Sequence, residues 1–150
     1  MNSDLRPQRV TLFRPTTLED YRAITEIRLA VTENPLSDPS KVTYADFVAY
    51  VTDIGRGWVA ETKTDIIGFS FANRSGLIWA LFVRPGHEGH GVGTALLNEC
   101  LKWLRDQGVK RAFLDTDPGT RAEAFYRRKG WIAEIEAPTR IDFSLDLSAS

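Results

Sequence analysis

The chain predicts a mixed α/β fold, a mixed sheet with helices on both sides, and three features predict it. Short runs rich in Trp, Val, Ile and Phe crowd residues 57–83 and read as strands. Helical patterns over 91–107 and 120–129 then alternate with further strands. The last segment, 140–147, alternates Ile141, Phe143, Leu145 and Leu147 with polar neighbours, so it has one buried face. The 150 residues, 43% hydrophobic and 26% charged, suffice for one sizeable core and are not disordered in composition. Residues 1–150 read as one domain with short frayed ends, because no repeat, low-complexity tract or linker interrupts them.

Taken in order, residues 10–14 have the β-branched and aromatic content of a strand, which Pro15 ends. A helix follows over 17–31, with Thr17 as N-cap and Asp20 three residues on. Residues 32–41 carry Asn34-Pro35 and Asp38-Pro39, both turn signals, and read as a loop. A second helix spans 43–54, opened by Thr43 and Asp46 and closed by Gly55. The period then changes, and 57–61, 66–72 and 77–83 form an antiparallel three-stranded meander. In the long helix at 91–107, Val92, Leu96, Cys100 and Trp103 recur every three or four residues, with Ala95 and Leu104 widening the stripe. Gly108 follows it as a C-terminal stop, then a strand at 110–116, a helix at 120–129, Gly130 and a strand at 131–136.

Composition narrows the partners. A formal net charge of −1, with Lys and Arg spread among Asp and Glu, is not the concentrated basic face of a nucleic-acid binder. The densest basic spots, Lys110-Arg111 and Arg127-Arg128-Lys129, read as solvated faces. Cys100 is the single cysteine, so an internal disulfide is excluded and a reducing compartment fits. Residues 1–8 lack the apolar stretch of a signal peptide, and nowhere do some 18 apolar residues follow one another. These features lead us to expect a soluble, cytoplasmic protein with neither a nucleic-acid nor a membrane partner.

The chemistry concentrates where the strand at 77–83 runs through Arg84-Pro85-Gly86-His87-Glu88 into Gly89-His90-Gly91-Val92-Gly93-Thr94 and the long helix. Glycines at 89, 91 and 93 let the backbone approach a ligand closely. The free N–H groups and positive dipole end of the helix suit a phosphate or pyrophosphate. A Walker A loop fails, because no lysine follows the glycines. The dinucleotide fingerprint fails too, since its last glycine place falls on Thr94 or Leu96. A plain structural turn remains the competing reading.

Two segments together decide between them. Leu81-Phe82-Val83-Arg84-Pro85 followed by Gly91-Val92-Gly93 resembles motif A of the GNAT acyltransferases, and Ala122-Glu123-Ala124-Phe125-Tyr126-Arg127-Arg128-Lys129-Gly130-Trp131 resembles motif B. The opening strand, Phe13-Arg14-Pro15-Thr16, and the helix after it are also similar. The resemblance implies the GNAT-like acyl-CoA N-acyltransferase fold, a central, mostly antiparallel twisted sheet flanked by about four helices. It implies that backbone groups of Leu81, Phe82 and Val83 pair with the pantetheine arm of acetyl-CoA like an added strand. Amides of Gly89, His90, Gly91, Val92, Gly93 and Thr94 would cradle the pyrophosphate, and Tyr126 would sit by the sulfur as the catalytic residue. The strands before and after the long helix would splay apart, opening the slot where donor and amine meet. Two departures stand out: Glu88 occupies a place usually held by Arg or Gln, and Gly119 one often held by Asn. We expect Glu88 to turn to solvent, and Thr116 or Thr120 to replace the contact missing at 119.

The implied activity is N-acetylation of a primary amine, of a small molecule because no extended charged groove is evident. A non-catalytic acyl-CoA sensor and a protein N-terminal or lysine acetyltransferase are the alternatives. An amine with a pKa near 10.4 must lose a proton, so a base or water chain is needed, for which Glu33, Asp117, His87 and Glu26 qualify by type alone. Arg28, Glu33, Asn34 and Trp79 are candidates for the acceptor mouth, with Trp58 in the core. His87 and His90 lack carboxylate or cysteine partners at ligand spacing, so no metal is expected. Cys100 on the apolar stripe reads as a buried, inert thiol. The ends of the last strand would permit a homodimer.

Overall fold

The computed structural model describes residue 10 and residues 12–31 and 43–148. Short connections dictate antiparallel pairing of chain neighbours. Strands β1 (Leu12–Pro15), β2 (Gly55–Glu61), β3 (Ile66–Asn73) and β4 (Ile78–Val83) form a four-stranded antiparallel sheet in the order β1-β2-β3-β4, with short turns joining β2, β3 and β4 and a longer segment, residues 16–54, joining β1 to β2. A second antiparallel sheet, β5-β7-β6, is made of β5 (Arg111–Thr116), β6 (Ile132–Ala137) and β7 (Arg140–Asp146). Among the described residues the sheets meet at one parallel bridge, Leu77 with Phe113, where the Phe113 N–H donates to the Gly76 carbonyl at 3.0 Å. Beyond that bridge β4 and β5 share no ladder and form a fork. The expected mixed, mostly antiparallel sheet is present, and it is divided in two.

Four α-helices among the described residues cover it. The helices α1 (Tyr21–Ala30) and α2 (Tyr44–Thr52) bury Ile24, Ile27 and Phe47 on one face, against Val59, Phe69, Phe71 and Ala80. The longer α3 (Val92–Asp106) and α4 (Arg121–Arg128) pack on the other face with Ala60, Ile67, Ala112, Leu114, Ile141 and Phe143. The stripe read on α3 is buried apart from half-buried Ala95, and it takes in Leu97 and Leu101 as well. Removing a fully buried leucine such as Leu96 or Leu104 costs about 2–5 kcal/mol, so α3 is the main anchor of its layer. Trp58 is core, edge-on to Trp103 at 6.1 Å.

Three boundaries differ from the sequence reading, each for a local reason. Pro15 lies inside β1 rather than after it, because β1 is an edge strand and can do without one N–H. The first helix begins as a 3-10 turn at Leu18–Asp20 before α1 proper. There Asp20 accepts from the Thr17 N–H at 2.8 Å and from both terminal nitrogens of Arg14 at 2.9 Å. Gly55 does not cap α2. It opens β2, where a Cβ would strike the Ala72 carbonyl oxygen, so close strand approach explains that glycine.

Candidate functional site

The site forms at the fork because β4, paired with β3 to its last residue, is the edge strand of its sheet there. Leu81, Phe82 and Val83 stand on that edge. Phe82 stacks on Phe69 at 5.3 Å on the α1/α2 side, while Leu81 and Val83 pack toward α3 and α4. Side chains on both faces thus hold the strand in place, and its backbone edge is left for a partner.

The chain leaves β4 through a turn in which the His87 N–H donates to the Arg84 carbonyl at 3.0 Å. Glu88 is exposed, as the sequence reading expected, and its carboxylate is also engaged at the surface. One carboxylate oxygen accepts from the Gly86 N–H at 2.7 Å, and the other pairs with Arg121 of α4 at 3.1 Å. Backbone N–H groups, its own foremost, hold this carboxyl below the usual glutamate range, with Arg121 adding to the effect. Glu88 is therefore a clip between the turn and α4, its charge partly matched.

Gly91 then caps α3 in the left-handed region, at φ +83°, with no side-chain hydrogen bond at the cap and no acidic residue in the first turn. The helix thus opens without an internal anion, where backbone donors and the dipole favour one from outside. A Cβ built on Gly89 or Gly91 would meet nothing within 4 Å, so the space over the turn is open. The residues present fit a pyrophosphate there.

Tyr126 faces the same layer from α4. It is 5% exposed and packs edge-on against Phe125 at 5.1 Å and Trp131 at 5.3 Å, with Phe143 at 6.1 Å. Burial, and secondarily the neighbouring Cys100, pushes the phenol well above the ordinary tyrosine range, so it stays protonated. The Cys100 thiol is itself pushed up to about 12 by burial, which makes it inert.

Two buried polar atoms near this layer have no hydrogen-bond partner, Thr116 Oγ1 and Trp131 Nε1. Thr120, the other hydroxyl considered in place of an Asn at 119, is occupied. It accepts from the Glu123 N–H at 3.2 Å and donates to the Asp117 carbonyl at 2.8 Å, capping α4.

Across the sheet, Trp79 stacks on Tyr50 at 4.7 Å, and Tyr21, Tyr44 and Phe47 continue the aromatic wall. Arg28 is 8% exposed in the last turn of α1, and Glu26 also lies on that helix. Glu33 and Asn34 lie outside the described residues. Sequence reasoning missed Asp115, which faces away from α3 and α4 because Ala112 and Leu114 face toward them. It stands opposite Asp142 in the β5–β7 ladder, two residues beyond the bridge at Phe113. Burial, then the like charges of Asp142 and Asp117, raises its pKa against the pull of Arg140. The alternation of residues 110–116 was the signal that could have found it.

Residues 21–131 match the model of the acetyltransferase (GNAT) family. Over 57 residues, 38% of this chain and 31% of the relative, the chain is 37% identical to an "Uncharacterized N-acetyltransferase ycf52-like" of Prochlorococcus marinus. Over 81 residues, 50% of this chain and 26% of the relative, it is 33% identical to a mycothiol acetyltransferase of Streptomyces coelicolor. The chain thus spans about a quarter to a third of the length of the curated relatives it matches. Among solved structures, the PaiA N-acetyltransferase of Thermoplasma acidophilum, in complex with coenzyme A, is similar at a TM-score of 0.77. That likeness covers 90% of this chain and 98% of that one, and at 15% identity it is a likeness of fold.

Proposed function

The chain belongs to the acetyltransferase (GNAT) family, and from that premise we propose that it moves the acetyl group of acetyl-CoA to a primary amine of a small molecule. The observation that carries the reading is the pairing of an open β4 edge with the uncapped start of α3, joined by one glycine turn. Backbone groups of Leu81, Phe82 and Val83 would hold the pantetheine arm, and amides from Gly89 to Thr94 the pyrophosphate. Acetyl-CoA supplies an activated thioester carbonyl, which a backbone N–H of the Phe82 region would polarise.

The residues then divide the proton work. Asp115, on the α1/α2 side of the fork, would take the proton of the incoming amine directly or through water. Tyr126 would stand at the departing sulfur. A free thiol has a pKa of about 8.5 and this phenol lies well above 10, so full proton transfer is uphill and a hydrogen bond to the developing thiolate is its contribution. The acceptor would lie along the wall of Trp79 and Tyr50.

Melting temperatures with acetyl-CoA, CoA, ATP and NAD test the donor site. A ligand at one hundred times its dissociation constant adds about 2.7 kcal/mol, or about 5–11 °C for a chain of this size. Stabilisation by acetyl-CoA and CoA alone supports the reading and opens a screen of amines for CoA thiol release. No shift with either removes it. Tyr126→Phe should then lower turnover with CoA affinity retained. If no amine is acetylated although CoA binds, the chain is an acyl-CoA-binding module.

A further inference from the structure

The turn after β4 and the helix after β5 both start at the open end of the fork, because the two strands run in the same direction from the bridge of Leu77 with Phe113. Glu88 lies in that turn and Arg121 is the first residue of that helix, α4, and their side chains meet at 3.1 Å. The two ends of the pair differ. The Glu88 carboxylate is fixed, since its other oxygen accepts from the Gly86 N–H at 2.7 Å. The Arg121 side chain is 74% exposed on a long stem with many rotamers. An exposed pair contributes little to stability, so the fold does not depend on it. Its position matters more, because it spans the gap between the glycine turn and α4. A ligand running from the β4 edge to the start of α3 enters that gap.

We propose that the Glu88–Arg121 pair is a strap across the open end of the fork, which the donor must open in order to bind. The proposal rests on the acetyl-CoA reading above, in which the arm lies in the fork and the pyrophosphate on the turn, so that strap and donor compete for one gap. The strap opens at Arg121, whose side chain swings outward while the Gly86 N–H keeps hold of Glu88. A donor binds the open form alone, so its apparent affinity falls by the fraction of molecules that are open. An exposed ion pair favours its closed form by roughly one and a half to five times. The strap therefore weakens donor binding by about two- to sixfold.

The test has to cut the strap without changing the charge beside an anionic ligand. The double variant Glu88→Asp/Arg121→Lys does this, because each side chain keeps its sign and loses reach. It is compared with wild type by CoA affinity in calorimetry, CoA association rate in surface plasmon resonance, and melting temperature without ligand. The double variant should bind CoA about two- to sixfold more tightly, through faster association, and melt within about 5 °C of wild type. Glu88→Gln, which also releases Arg121, should gain at least as much. Unchanged or weaker CoA binding by the double variant overturns the proposal and leaves the donor site standing. A gain confined to Glu88→Gln overturns it as well, because removal of one negative charge would then explain the effect. So does a gain that comes wholly from slower dissociation. Wild type that binds no CoA overturns both the proposal and the reading beneath it.

Discussion

Replacing Gly91 and Gly93 with alanine, one at a time, should move stability in opposite directions. Gly91 has φ +83° and open space where a Cβ would go, so Gly91→Ala meets backbone strain without collision. That strain is about 1–2 kcal/mol, which lowers the melting temperature by about 2–8 °C at this chain length. Gly93 lies inside α3 without a positive φ, and its Cβ would rest 3.6 Å from Val83 and 3.8 Å from Phe125, ordinary contact distances. Gly93→Ala should therefore gain about 0.5–1 kcal/mol from helix preference, a rise of about 1–4 °C. Scanning calorimetry on the unliganded proteins measures both. A fall in Gly93→Ala would mean that this glycine serves helix packing, and the argument from open space over the turn would fail. An unchanged Gly91→Ala would refute the left-handed cap.

Further outcomes follow from the charged and buried groups. Asp115→Asn should remove the acidic limb of the pH–rate profile, a limb expected above the ordinary aspartate value of about 3.9 because the folded carboxyl is raised; a limb that persists excludes Asp115 as the base. The same shift fixes a stability sign. A raised carboxyl favours the fold below its unfolded pKa and loses that contribution as pH rises through the folded value. Asp115→Asn should thus melt higher than wild type at pH 7, and a lower melting point contradicts the raised pKa. Asp20 has the opposite sign: burial opposes its charge, but Arg14 and the Thr17 N–H outweigh it and lower the pKa. Asp20→Asn should cost about 1.5–3 kcal/mol at neutral pH, and less as pH falls below about 4. Denaturant melts across that range would reveal a flat difference if the pair is idle. Cys100, fully buried with its thiol pushed up to about 12, should ignore a disulfide reagent in the native protein and react on unfolding.

Much of the fold was legible because the periods are clean. β3 and β4 emerged within about a residue of their bounds from β-branched and aromatic runs, and α3 from a stripe with a glycine stop. The misread Gly55 shows the limit. A glycine after a helix signals a stop, but here the opposing Ala72 carbonyl sets it, and that contact joins residues far apart in sequence. The donor side of the site lies in one contiguous segment and could be read directly. Asp115 faces Asp142 only through strand pairing, and Glu88 meets Arg121 only when the turn and α4 come together. No local pattern carries either contact, nor the division of the sheet at Leu77 and Phe113.

That division also bears on solubility. A strand with an unpaired edge is a template for joining other chains, and soluble proteins usually blunt such edges with charge, proline or a bulge. The segment Ile78–Val83 has none of the first two, being wholly apolar. Its protection is location, since the edge faces inward across the fork toward β5 instead of outward. An unfolded neighbour would have to thread between two strands pinned together at one end to use it. Shielding of this kind works only while the pin holds. Substitutions that weaken the Leu77–Phe113 junction should therefore promote self-association on mild heating before any change in the α3 core, as light scattering alongside near-UV dichroism would register.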